Sequence, residues 1–348
     1  MPPELRRPER IDSEEQLDEL LTLPSPPLIE MTGRLQGNII ILGIGGKMGV
    51  TLGILAARAI REAGFAARVV GVSRFSDPAA REKLNAAGIE TVACDLLDQQ
   101  AVAKLPRIEN VIYMAGRKFG TGGAEPLTWA MNAAVPTNIV QHFRESRIVA
   151  FSTGCVYPLV SPACGGCTEE TDPAPMGEYA QSCLARERVF QHYSFANATP
   201  VCLFRLNYAI DLRYGVLHDI ARKVWRDEPV NVASGHFNCI WQGDANTMAL
   251  RCLEQCASPA AILNVTGPQT LSTREVAMAF GTIMGRTPRF AGAESDTAYL
   301  SNPARAMRLF GGTSVSSDRM IAWNAHWVMA GGRSLDKPTH FEVTDGAF

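Results

Sequence analysis

Several features are missing from this chain, and each absence removes a class of function. No apolar run is long enough to span a bilayer; stretches such as NIIILGIGG are broken by glycines within a few residues. Charge of one sign does not dominate: 33 basic against 35 acidic residues leave a formal net charge of -2, which gives no footprint for nucleic acid or an anionic membrane. The opening residues, MPPELRRPER, lack the apolar centre of a secretory leader. Nine cysteines, an odd and scattered set, suit reduced thiols better than a disulfide framework. Cys164 and Cys167 form a lone CGGC with no second pair or histidines at matching spacing, so no metal site is expected. The expectation is a cytoplasmic protein whose partner is a small molecule, with no nucleic acid and no membrane.

What is present is a rhythm. Residues 1–35 are charged and proline-rich, with a helical SEEQLDELL, and read as an N-terminal extension clasping the main domain. From residue 38, short apolar runs alternate with helix-like segments: 38–42, 67–73, 89–94, 110–115, 147–152 and 200–206. Strands apolar at successive positions belong in a sheet buried on both faces, and alternation with helices implies right-handed parallel crossovers. The predicted fold is α/β, a Rossmann-type doubly wound parallel sheet with a smaller C-terminal substrate-binding region. Residues 36–210, with a return segment about 238–265, are expected to form the dinucleotide-binding domain, and 211–348 mainly the substrate-binding region and tail.

The stretch NIIILGIGGKMGVTLG reads strand, glycine turn, helix. Gly43, Gly46 and Gly49, with Gly45 to spare and Lys47 and Met48 between them, form a turn tight enough for a pyrophosphate to approach bare backbone. The second strand ends in Ser73 and Arg74 rather than the carboxylate that would bind an NAD ribose. A guanidinium suits a 2′-phosphate, and Lys47 can assist, so NADP is expected, with NAD the alternative if Asp77 lies nearer the ribose.

Together with later segments, these residues resemble the extended short-chain dehydrogenase/reductase family, the NAD-dependent epimerases and dehydratases, over about residues 37–290. The resemblance places Asp95 and Leu96 beside the adenine and Ala115 and Gly116 along the cofactor. Lys118 falls near the cofactor phosphates, and Asn132 shapes the inner site. Thr153, in STGCVYP, matches the Ser/Thr that orients the substrate oxygen, and Tyr179, in GEYAQSCLARE, the tyrosine that moves the proton. Arg205, Asn207, Tyr208 and Arg213 follow the sixth strand, where the family contacts substrate. Pairing through the helices bearing Asn132 and Tyr179 implies a homodimer.

One member of the pattern is absent. The family's tyrosine is followed four residues later by a lysine, whose charge lowers the phenol pKa and which holds the nicotinamide ribose; here Cys183 fills that place. A cysteine has no fixed charge, and as a thiolate it would push the phenol the wrong way. Three explanations stay open: another cation enters, with Lys118 the best placed and Arg186 too far along the helix axis; a water carries the proton; or the dinucleotide is bound without turnover.

The resemblance also narrows the reaction. The dehydratases carry an Asp–Glu pair after the threonine, whereas this chain has Gly154 and Cys155. Cys155 resembles the proton-moving cysteine of the GDP-fucose synthases, but only Leu212, Arg213 and the more distant His218 stand near the place of its histidine partner. Phe237 occupies the position of the arginine that grips a substrate diphosphate, which favours an uncharged sugar, sugar acid or polyol. The expected activity is an NADP-dependent oxidoreductase or epimerase acting on a secondary alcohol or ketone of a sugar-like substrate. The rival reading is a catalytically silent NAD(P)(H)-binding sensor or scaffold.

Overall fold

All six apolar runs become strands of one parallel sheet in the computed structural model, which describes residues 7–118, 123–337, 339–343 and 346. They are β1 (Ile39–Leu42), β2 (Val69–Ser73), β3 (Glu90–Ala93), β4 (Asn110–Tyr113), β5 (Arg147–Thr153) and β6 (Val201–Leu206). A seventh strand, Ala261–Val265, pairs with the outer side of β6, and the order from there is β6, β5, β4, β1, β2, β3. Every neighbouring pair is parallel. Strand order reverses between β1 and β4, the position where sheets of this type open a crevice for ligands.

Alternation along β1 shows why its apolar run is continuous. Ile39 and Ile41 enter the core on one face of the sheet, while Ile40 and Leu42 enter the core on the other. Each fully buried side chain of this size stabilises the fold by roughly 1.5–3 kcal/mol. The third run departs from the both-faces expectation: Glu90 and Ala93 are exposed and Thr91 and Val92 only half-buried, because β3 is the sheet's edge.

A third core gathers residues beyond 209 with the N-terminal helix Glu14–Leu21, which contributes Leu17 and Leu21. Trp241 and Trp323 pack edge to face within it at 5.3 Å. Phe237, at the family's arginine position, is also buried there, 6.1 Å from the ring of Phe341. Among the described residues, no helix is long and apolar enough to cross a membrane.

The glycine turn is held by close approach. Gly43 has φ +93, and a Cβ there would sit 2.7 Å from the Ala115 nitrogen. At Gly49 a Cβ would fall 2.3 Å from the Ile44 carbonyl oxygen, a backbone atom with no room to move aside. Gly49→Ala should therefore cost roughly 1–3 kcal/mol, as overpacked sites do. Chemical denaturation should show a lower midpoint, and an unchanged midpoint would mean that the turn is looser than described.

Candidate active site

A cleft of about 390 Å³ opens at the carboxyl ends of β1, β4, β5 and β6. Its floor is the glycine turn, with Gly43, Gly46, Lys47 and Met48. The helix Gly49–Glu62 begins there with no side-chain cap, so its first N–H groups face the turn. A Cβ at Gly45 would lie 2.7 Å from Ser73 Oγ, which would have to turn aside. A floor of amides at a helix N-terminus, with no side chain in the way, fits a dinucleotide pyrophosphate. Lys47 reaches into the cleft, 3.5 Å from the centroid of the Tyr214 ring. Burial, then Lys118 and Lys337, lower its pKa to about 7.

Ser73, Arg74, Asp95 and Leu96 stand at the ends of β2 and β3, outside the cleft walls. Arg74 is exposed. Asp77 is committed as a helix cap, accepting from the Ala79 amide at 3.0 Å. Asp95 accepts from the Leu97 amide at 3.0 Å, while Leu96 is buried.

The opposite wall is organised by Asn132, which lies on a single π-helical turn, Ala130–Ala134. Its Oδ1 accepts from the Arg117 amide at 2.8 Å and from Arg186 Nη2 at 2.6 Å. Its Nδ2 donates to the Arg117 carbonyl and to Ser182 Oγ, both at 2.9 Å. Ala115, Gly116 and Lys118 belong to the loop so fixed; Gly116, Arg117 and Lys118 line the cleft.

Thr153 and Tyr179 both face this space. Thr153, the last residue of β5, is buried and accepts from the Cys155 amide at 3.1 Å. Tyr179, on the helix Gly177–Asn197, donates a hydrogen bond to the sulfur of Cys183, which is fully buried. Loss of solvent, then the neighbouring Cys183 and Cys155 thiols, hold the Tyr179 phenol well above its ordinary value, while Arg186 draws it down. Lys118 lies 5.8 Å from the Tyr179 ring centroid and 5.9 Å from that of Tyr208, so the loop cation does enter the site.

Arg186 overturns the expectation that it lies too far along the axis. It lines the cleft, buried, with Nη1 donating to the Phe151 carbonyl at 2.9 Å.

Asn207 and Tyr208 line the cleft, and Tyr208 does so with a φ of 43, a left-handed conformation costly for a bulky residue. Arg205 and Arg213 do not. Arg205 forms a two-pronged pair with Glu187, at 2.9 and 2.6 Å, and donates to the Tyr157 hydroxyl. Arg213 is held by Asp211 and by Asp18 of the N-terminal helix. Cys155 lines the cleft, but His218 does not join it there: it lies against Ser334 at 3.1 Å, and burial lowers its pKa to about 4. Tyr214, Gln242 and Thr339 complete the walls and carry no motif by which the sequence would reveal them.

A Rossmann sheet with this cleft defines a dinucleotide-binding protein of the doubly wound class. Residues 39–210 match the model of the NAD dependent epimerase/dehydratase family. Those residues form a domain of that family, the enzymes of the extended short-chain dehydrogenase/reductase type. No curated protein matches by sequence. Among solved structures, a UDP-galactose 4-epimerase is similar at 21% identity and TM-score 0.66, over 84% of this chain and 99% of that one. The UDP-glucose 4-epimerase of Thermus thermophilus, solved with NAD, gives 19% identity and 0.67, over 83% and 98%. A UDP-glucuronic acid 4-epimerase mutant from Bacillus cereus gives 15% and 0.68, over 84% and 99%. At these identities the likeness is one of fold.

The Arg205–Glu187 pair supports the long helix from beneath, with Ser152 Oγ also donating to Glu187 at 2.5 Å. Glu187→Gln should destabilise the protein by about 3–5 kcal/mol, since it strands a buried guanidinium. Urea unfolding measures this, and the double change with Arg205→Met should recover much of the loss. A single variant as stable as the parent would show that the pair carries no weight.

Proposed function

We propose that this enzyme oxidises or reduces a secondary alcohol or ketone of a sugar-like substrate, or epimerises it through such a step, with Tyr179 moving the proton and Thr153 orienting the oxygen. The observation that carries this reading is that Thr153 and Tyr179 face one cleft whose floor is the bare glycine turn. The bound nicotinamide supplies or receives the hydride. In reduction, the Tyr179 O–H bond breaks as the substrate oxygen gains the proton, and nearby cations stabilise the phenolate left behind. Lys118 and Arg186 are the cations to hand. Tyr208 and Asn207 are proposed to hold the sugar, and burial of Phe237 in a core supports a substrate gripped without a diphosphate clamp there. Cys155 lies close enough to influence both Tyr179 and Tyr208 and is proposed as a contact at the reacting carbon.

NADP is the proposed cofactor form. Arg74 is exposed at the end of β2, and Asp77, the one acid that would favour NAD there, is spent on its helix. The homodimer belongs to the same proposal; Leu127 and Phe195 are exposed on the helical segments that would meet.

Two measurements test the reading. Tyr179→Phe should lower turnover of keto-sugars by NADPH at least about 100-fold while leaving NADPH affinity within about threefold. Tight binding with no turnover by the parent across a broad panel would favour the silent sensor, and tighter NADH binding would reject the cofactor assignment. Lys47 adds a pH dependence. It is charged below about pH 7, and a bound phosphate favours the charged form. NADPH affinity should therefore fall as pH rises above 7, by up to about tenfold per unit. Lys47→Met should bind weakly at every pH, and a variant that keeps the parent's slope would exclude Lys47.

A further inference from the structure

We propose that Arg186 supplies the fixed positive charge missing from position 183, so that Tyr179, Cys183 and Arg186 together perform the work of the family's tyrosine–lysine pair. The proposal rests on Tyr179 being the proton carrier and assigns a positioning residue behind it.

Geometry comes first. Arg186 follows Tyr179 by seven residues and Cys183 by three. At about 100° per residue, seven steps return within roughly 20° of the same helix face. A long helical side chain leans towards the N-terminus of its helix, here back towards Cys183 and Asn132. The Asn132 bond at 2.6 Å shows the guanidinium doing so. Space is cleared for it: a Cβ on Gly116 would stand 2.5 Å from Nη2.

Charge comes second. Arg186 is 6% exposed, and among the described residues it has no ion-pair partner. Its Nε, also buried, has no hydrogen-bond partner there. Glu187, the adjacent acid, already receives two bonds from Arg205. Two guanidiniums therefore stand near one carboxylate that bonds only Arg205, and the cluster is left with one positive charge beneath the cleft. A buried charge without its counterion costs several kcal/mol, and such a cost persists where the site uses the charge. The groups within its influence are Cys183, Tyr113, Tyr179 and Glu187, the last already bonded to Arg205; Tyr179 reaches the cleft, whereas Tyr113 is wholly buried. When the Tyr179 proton passes to the substrate oxygen, the electron pair left on the phenol oxygen lies in the field of this guanidinium, and a proton from water later restores the hydroxyl.

The exchange also accounts for the cysteine. A lysine at 183 would press a second cation against Arg186, whereas a small neutral thiol accepts the Tyr179 hydrogen bond and leaves the guanidinium its place.

The test compares the full-length parent with Arg186→Gln, Arg186→Lys and Arg186→Gln/Cys183→Lys, each checked for an intact melting transition. The first readout needs no cofactor: ultraviolet titration of the phenol, isolated by subtracting the Tyr179→Phe spectrum. Arg186→Gln should move that titration to higher pH and lower turnover at neutral pH roughly 10- to 100-fold, with the pH–rate profile shifted alongside. Arg186→Lys should stay within about fivefold, and the added lysine should rescue the double variant. If Arg186→Gln does not fold, Arg186→Met, which keeps the apolar stem and removes the charge, should give the same two shifts. A folded Arg186→Gln, or failing that Arg186→Met, with an unmoved titration and profile would overturn the proposal and leave Arg186 a structural brace. Full turnover by Tyr179→Phe would instead defeat the proton-carrier reading, whatever the titration shows.

Discussion

Asn132 is the joint on which the site depends. One carboxamide binds the backbone of Arg117 on both its N–H and C=O sides, the hydroxyl of Ser182 and the guanidinium of Arg186. It thereby ties the loop after β4 to the helix bearing Tyr179. Arg117 is held against that helix, and Lys118 follows it directly in the chain. The π-helical turn beneath Asn132 is consistent with this role, since such turns cluster where a side chain must be aimed. The amide is fully buried, so each of its bonds is worth more than in water, and the loss of one leaves a polar atom stranded.

Beneath that joint lies a second, ionic layer. Glu187 is reached by Ser152 from β5 and by Arg205 from β6, so two central strands converge on one helix residue. Arg205 also donates to Tyr157, whose hydroxyl donates to Asn264 on the edge strand Ala261–Val265. The polar chain thus runs from the edge of the sheet to the helix that carries Tyr179. Such a network is favourable only when every member is satisfied, and it makes the helix position a property of the whole sheet.

Much of this fold can be read in the sequence, because a parallel sheet buried on both faces writes itself as unbroken apolar runs between turns. Ala261–Val265 does not stand out separately within the broader segment about 238–265, because its apolar run is short and interrupted by Asn264. That asparagine is buried for its bonds to Tyr157 and the Cys167 carbonyl, a reason invisible along the chain. Gly43, Thr153 and Tyr179 are legible as motif positions. Arg186 stands at the right spacing, but an argument from axial distance alone neglects the backward lean of a long helical side chain. Arg205 and Arg213 mislead because their charges are already spent: Arg205 on Glu187, distant along the chain, and Arg213 on Asp18 from the N-terminal helix together with Asp211, a local partner whose pairing the sequence alone does not reveal. Tyr214, Gln242 and Thr339 come from separate segments, and only the folded chain brings them to one wall.

Thr339 has a consequence of its own. Its amide and hydroxyl both bond to Asp219, at 2.8 and 2.6 Å, and it borders the same cleft as the glycine turn. One rim of the cleft is therefore anchored by a segment remote in sequence from the glycine turn, through a single carboxylate that the turn does not touch. A change around 339–343 would reshape that rim while leaving the turn's own contacts in place.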